Sequence, residues 1–192
     1  MNKALIIIDI QNDYFKNGKM ELAGSEQATE NAKLILAKFR DERLPVIHIQ
    51  HIARRPGATY FLHGSEGAEI HPDMKPKANE KVIVKHFPNS FRGTELFGYL
   101  KVNNITDLVI CGMITHMCVD STTRAAKDFG FNCTVIGDAC ATNGLEINGE
   151  KVTAGEVQKA FLAALNYFYS TVVNTEEYVN GKQVLQSTLQ PV

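Results

Sequence analysis

Apolar positions along this chain follow two alternating rhythms. Short runs rich in β-branched residues occupy residues 4–10, 46–52, 81–84, 108–111, 132–136 and 171–174, and each predicts a strand. The unbroken apolar character of the first of them predicts a strand buried on both faces of a parallel sheet. Between the strands the period changes. Ala28, Ala32, Ile35, Leu36 and Phe39 keep helical spacing within residues 25–43, and Leu44-Pro45 stops that helix. Leu96 and Leu100 mark the inner face of a helix over residues 91–102, and Thr153 caps one over residues 153–169. Gly112 ends the fourth strand, and from Cys118 onward Val119, Thr122, Thr123 and Ala126 share one helical face.

Residues 53–80 break the rhythm. They carry Pro56, Gly57, Gly64, Gly67, Pro72 and Pro76 without periodicity, as in a functional lid or a subunit contact. Residues 11–19 and 139–150 read as shorter loops. Strands alternating with helices predict right-handed βαβ crossovers, hence an α/β fold with helices on both faces of the sheet. No repeat or second domain is apparent, so residues 1–192 read as a single domain with a peripheral tail from 179.

In such sheets the site forms at the C-terminal strand ends. Asp9, Lys85 and Cys118 all fall there, from three different βα junctions. A carboxylate beside a thiol can take its proton as the sulfur attacks a carbonyl, and an ammonium keeps that carboxylate ionised and oriented. Cys118 is expected at or near the first helical position, where free N–H groups and the helix dipole favour a thiolate.

Composition narrows the rest. With 44% hydrophobic and 21% charged residues among 192, the chain is neither disordered nor fibrous. A net charge of −1 gives no reason to expect nucleic acid or an anionic membrane, and Arg54-Arg55 is the only arginine pair. The first apolar run is cut at Asp9, too early for a signal peptide, and no stretch is long enough to span a membrane. Four cysteines without CxxC spacing fit reduced thiols in a cytoplasm. His48 and His51 are three apart on a strand and point to opposite faces, so they do not form a chelate. No phosphate-cradling Gly-Lys-Ser/Thr loop is present, and neither metal nor cofactor is expected.

Taken together, several segments resemble the isochorismatase-like cysteine hydrolase superfamily. They are Asp9-Ile10-Gln11-Asn12-Asp13-Tyr14-Phe15, Gly64-Ser65-Glu66-Gly67-Ala68-Glu69-Ile70, Lys85 with Asn89-Ser90-Phe91 and Thr94, Gly112 through Val119, and Asp138-Ala139. The resemblance implies a three-layer α/β/α fold with a six-stranded parallel sheet in the order 3-2-1-4-5-6. It implies an Asp9–Lys85–Cys118 triad, a non-proline cis peptide at Met113–Ile114, and an oxyanion hole from the backbone N–H groups of Ile114 and Cys118. The nicotinamidase branch carries an Asp-x-His pair for its metal after the second strand; here the stretch reads His51-Ile52-Ala53. Gln11, Tyr14, Phe15, Phe91 and Met117 are the candidate substrate contacts. The expected function is hydrolysis of the C–N bond of a small amide or ureido compound. The alternatives are vinyl-ether hydrolysis of the isochorismatase type and an idle member acting as an oligomeric binding protein. The thiol argues against the first of these, the intact triad against the second. A homo-oligomer, dimer or tetramer, is expected from the family habit and from the apolar cluster Tyr60-Phe61-Leu62.

Overall fold

β1 (Lys3–Ile8) lies in the middle of the sheet, and every residue from Ala4 to Ile8 is buried. The computed structural model describes residues 2–181. After β1 come α1 (Ser25–Asp41), β2 (Val46–His51), β3 (Lys81–Lys85), α2 (Leu96–Val102), β4 (Asp107–Met113), α3 (Asp120–Asp128) and β5 (Asn132–Ala141). A hairpin of β6 (Leu145–Ile147) and β7 (Glu150–Val152) follows, then α4 (Ala154–Ala164), β8 (Thr171–Val173) and α5 (Thr175–Val179).

The main sheet has six strands in the order β3-β2-β1-β4-β5-β8, all pairs parallel. This is the expected order; the sixth strand is eighth in the chain only because the hairpin intervenes. Alternation along β1 divides the interior into two cores. Leu5 and Ile7 face a cluster with Ala28, Ala32, Ile35, Leu36 and Phe39 of α1. Ala4, Ile6 and Ile8 face one with Leu96 and Leu100 of α2, Val119, and Ala126 of α3. Each fully buried aliphatic side chain stabilises the fold by about 1.5–3 kcal/mol, so the apolar strands hold the sheet between two helical layers.

Several boundaries differ from the sequence expectation. β4 does not end at Gly112 but runs through it, paired with Ile8 of β1. Gly112 has φ of 123°, and a Cβ there would sit 2.0 Å from the Ile8 carbonyl oxygen. Only glycine fits this approach, which seats β4 against the strand that ends at Asp9. β5 continues to Ala141 through a shift of register between Ile110 and Gly112, whose partners are Val135 and Cys140. The extra residues include Asp138, whose Oδ1 accepts the N–H and the hydroxyl of Thr175, both at 2.8 Å, and so ties down α5. α2 starts at Leu96 rather than 91, because Gly93 takes a left-handed turn with φ of 68°. Residues 139–150 are not one loop, since they include β6 and the turn at Asn148 and Gly149. Thr153 does cap α4, in a reciprocal capping box with Glu156. A π-helical turn, Leu165–Tyr169, completes that helix. Of the tail expected to be peripheral, residues 182–192 lie outside the described residues.

Candidate active site

Asp9 is the first residue past β1. It is fully buried with φ of 51°, a left-handed conformation that Asp tolerates better than most residues. Its N–H still donates to Ile49 O at 3.0 Å, so the backbone leaves the sheet at a fixed point. Lys85 ends β3, two strands away, and its stem spans the end of β2. Its Nζ lies 2.8 Å from Asp9 Oδ2, and both side chains are 0% exposed. The Lys85 ammonium also donates to Pro88 O at 2.8 Å. The turn bearing Pro88 is fixed in place by Ser90, whose N–H donates to Thr122 Oγ1 of α3 at 3.0 Å.

Cys118 lies in a π-helical turn, Thr115–Val119, between β4 and α3. The Met113–Ile114 peptide before it is cis, as expected. Ile114 O accepts the N–H groups of Met117 at 3.1 Å and Val119 at 3.2 Å, which closes the turn. One donor atom each from Asp9, His51 and Cys118 lie within 4.8 Å of one another. The expected acid, cation and thiol therefore meet in one buried spot, and His51 joins them with Nδ1 at 4.0 Å from Asp9 Oδ2.

The electrostatics correct one sequence expectation. Cys118 is not a resting thiolate: its pKa is pushed up to about 12. Burial is the main cause and the Asp9 charge adds to it, while Lys85 opposes both. The first-turn helix setting that favours a thiolate is replaced here by the interior of a π turn, 2% exposed. Burial disfavours the Lys85 ammonium, but the Asp9 charge and then the Cys118 sulfur outweigh it, so its pKa is raised. Burial pulls the His51 pKa down against the pull of Asp9, so the ring is neutral at pH 7. The resting site thus holds an ammonium–carboxylate pair beside a protonated thiol. The Asp9 carboxylate therefore has the Lys85 ammonium and the Cys118 thiol as its neighbours, and the thiol proton has an acceptor at hand.

Beside the triad opens a cavity of about 500 Å³. His51 and Met117 line it on the triad side, with Phe87 and Pro88 as apolar wall and Arg54, Arg55 and Tyr60 from the long loop.

The chain matches the family model described as "Isochorismatase domain" over residues 3–177. The protein belongs to the isochorismatase family. The isochorismatase family protein YddQ of Bacillus subtilis is 49% identical over 179 residues, spanning 93% of this chain and 99% of that one. An isochorismatase-family crystal structure from Oleispira antarctica superposes with a TM-score of 0.90 at 46% identity, over 94% of this chain and 97% of that one. A nicotinamidase of Acinetobacter baylyi is 27% identical over 182 residues, 77% of this chain and 84% of its own.

Within this isochorismatase-family hydrolase, the candidate substrate contacts separate. Met117 lines the cavity. Tyr14 packs edge-on against Phe61 with ring centroids 4.7 Å apart. Burial, with the nearby Cys118 and Asp9, raises its phenol pKa well above normal, and it does not line the cavity. Gln11 does not line the cavity. Its amide donates to His51 O at 2.9 Å and Ala68 O at 2.7 Å, and accepts the His51 N–H at 2.7 Å. It clamps the end of β2 to the long loop. Phe15 stacks on His71 at 3.9 Å, and Phe91 packs among Phe129 and Phe131; neither lines the cavity.

The long loop turns inward. Phe61 is fully buried and Tyr60 half-buried, so of the apolar cluster expected from sequence only Leu62 stays exposed. Asp13 moors it: Oδ2 accepts the Phe61 N–H at 2.6 Å, and Oδ1 accepts the Lys19 N–H at 3.1 Å. Gly67 lies so close that a Cβ would fall 2.2 Å from Asp13 Oδ1.

Asp9, His51 and Cys118 are the one group of three potential ligands found among the described residues. They do not fit a resident divalent metal. The Lys85 ammonium already neutralises Asp9, so the site lacks the net negative charge that would draw in a divalent cation. His51, Arg55, Tyr60 and His86 were not singled out from sequence as substrate-facing; all four line the cavity. The loop composition flagged residues 53–80 as a whole but carried no signal for which side chains turn inward.

Proposed function

We propose that this hydrolase cleaves the C–N bond of a small amide or ureido compound through a thioester on Cys118. The observation that carries the reading is a buried, protonated thiol beside a buried carboxylate that is paired with an ammonium. In the first half, the Cys118 sulfur attacks the carbonyl carbon while its proton passes to Asp9. Backbone N–H groups of Ile114 and Cys118 receive the oxyanion. The tetrahedral species collapses as Asp9 gives that proton to the leaving nitrogen, which departs as ammonia or an amine. In the second half, Asp9 takes a proton from water, the hydroxide adds to the thioester, and collapse returns the proton to sulfur. Lys85 remains an ammonium throughout and stays paired with Asp9 between steps.

The nicotinamidase relative supports an amide carbonyl as the target. Vinyl-ether hydrolysis needs an acid and water but no thiol, so Cys118 favours the amide. The test is an ammonia-release screen over small amides and ureido compounds, followed by Cys118→Ala on the best substrate. Loss of turnover in that variant, with a Cys118-bound acyl mass in quenched wild type, is the expected result. Substantial activity in the variant, on that substrate or on isochorismate, overturns the reading.

We also propose a cytoplasmic location and assembly as a homo-oligomer, dimer or tetramer. No helix among the described residues is long and apolar enough to cross a membrane. The support for assembly now comes from Tyr167 and Phe168, 72% and 65% exposed after α4, rather than from the loop cluster. Light scattering that gives the mass of a single chain at micromolar concentration refutes the assembly.

A further inference from the structure

No triad residue lies on α4, yet one of its side chains reaches the turn that carries Cys118. Gln158 Nε2 donates to Gly137 O and to Cys140 O, both at 3.0 Å. Its Oε1 accepts the Thr115 hydroxyl at 2.7 Å, nearer than Ala141 O at 3.2 Å from the same hydroxyl. Two carbonyls are satisfied only by the amide nitrogen, so the side chain has one orientation and its oxygen faces Thr115. Gly137 and Cys140 lie where strand pairing slips: the step from Ile110 to Gly112 in β4 faces the longer step from Val135 to Cys140 in β5. Carbonyls in such a stretch need partners outside the ladder, and Gln158 supplies them. Thr115 is fully buried and follows directly on the Met113–Ile114 cis peptide. A second tie runs alongside, since His116 Nδ1 lies 2.5 Å from Thr142 Oγ1, just past β5.

The π turn Thr115–Val119 is a rare backbone form, and the oxyanion donors proposed above, the N–H groups of Ile114 and Cys118, flank Thr115 in sequence. Misplacing such groups by about 1 Å costs about 10²-fold in rate. We propose that Gln158 is a positioning residue for the hydrolysis. Its bond to Thr115 anchors the nucleophile turn to β5 and α4 and so sets the direction of both donors. Gln158 acts through Thr115 and does not line the catalytic cavity, so it takes no part in choosing the substrate. The effect on catalysis rests on the thioester reading; the anchoring of the turn does not.

The test separates anchoring from chemistry. Gln158→Met keeps the length and removes the polar bonds; Gln158 is half-buried, so water reaches the two carbonyls and the fold should persist. Thr115→Val breaks the same bond from the other side, and Thr115→Ser keeps it. The first arm measures amide hydrogen exchange by mass in a peptide spanning residues 113–119. Exchange there should be about ten-fold faster in Gln158→Met and in Thr115→Val, no faster still in the double variant, and unchanged in β1. A rate that neither single variant alters overturns the anchoring. The second arm compares two reactions at Cys118. Iodoacetamide loses iodide to the sulfur and builds no oxyanion. The ester 4-nitrophenyl acetate passes its acetyl group to the sulfur through an oxyanion and releases 4-nitrophenolate, while the thiol proton goes to Asp9. Gln158→Met and Thr115→Val should acylate about 10–100-fold more slowly than wild type, with alkylation changed by less than about three-fold. Thr115→Ser should stay close to wild type in both reactions. On a substrate from the amide screen the loss should fall on kcat, with KM within about two-fold of wild type. Equal losses in acylation and alkylation, or no loss in acylation, overturns the positioning role. If wild-type Cys118 is alkylated but never acylated, the thioester reading is what fails, and the exchange arm alone decides whether Gln158 anchors the turn.

Discussion

Lys85 and Asp9 form a fully buried ion pair of 2.8 Å. The ammonium also donates to Pro88 O at 2.8 Å. Lys85 thus neutralises and orients the carboxylate from one side while the Cys118 sulfur lies near it. Asp9→Asn keeps the volume and removes the base, so turnover should fall by about 10²–10⁴-fold with the far-UV spectrum unchanged. Lys85→Ala should lose both activity and stability, by about 3–5 kcal/mol, because it leaves a buried carboxylate unpaired. Urea melts alongside steady-state rates check both; near-normal kcat in Asp9→Asn removes Asp9 as the base.

The protonated state of Cys118 has its own signature. With the thiol pKa near 12, iodoacetamide labelling should keep rising with pH through 9 and show no plateau near neutrality. A resting thiolate would react at a nearly constant rate from pH 6 upward. A pH–rate profile of Cys118 alkylation distinguishes the two, and a neutral plateau contradicts the proton-transfer role given to Asp9.

Gly112 should resist substitution. In Gly112→Ala the added methyl meets the Ile8 carbonyl at a φ of 123°. Strain and overlap together should cost about 2–4 kcal/mol and shift β4 away from β1, so activity drops as well. A variant with wild-type melting temperature contradicts this account of the β1–β4 approach.

A second ionic cluster, far from the cavity, governs acid stability. Glu80 bonds Arg40 Nε at 2.7 Å, Arg40 Nη2 at 2.8 Å and His48 Nε2 at 2.9 Å. Burial opposes the Glu80 charge, but the hydrogen bonds from Arg40, the Lys77 N–H and His48 prevail and lower its pKa to about 2. A depressed carboxylate stabilises the fold above its unfolded value near 4.5, and that contribution fades as pH falls toward 2. Burial also lowers the His48 pKa, so folding favours the neutral ring and stability begins to decline as pH drops below 6.5. Glu80→Gln should cost about 1.5–3 kcal/mol at pH 7. The gap to wild type should narrow between pH 4.5 and 2, read from urea midpoints; a pH-independent gap contradicts the assignment.

The sheet and the three triad positions were legible because each leaves a local mark: a β-branched run, then an ionisable or nucleophilic residue where the run ends. Cys118 shows the limit of that reading. Spacing from Val119 to Ala126 is helical in either case, so the π turn before it has no signature in periodicity. The β6–β7 hairpin was readable. Asn148-Gly149 between two three-residue runs is a strong turn signal, with φ values of 53° and 82° as a tight primed turn requires. Leu145 and Ile147 obscured it, being apolar yet exposed. The inward turn of Phe61 was not readable, because it depends on a contact with Asp13, 48 positions away.

That contact divides labour within the chain. The Asp9–Phe15 stretch carries the proposed base at one end and, four residues on, the carboxylate that moors Phe61. Residues 54–60, between that mooring and the end of β2, are free of both. Recombination or directed mutagenesis confined to this seven-residue span can rewrite what the cavity admits while leaving the machinery that breaks the bond untouched. The Asp13–Phe61 latch is therefore a natural seam for building new specificities on this scaffold.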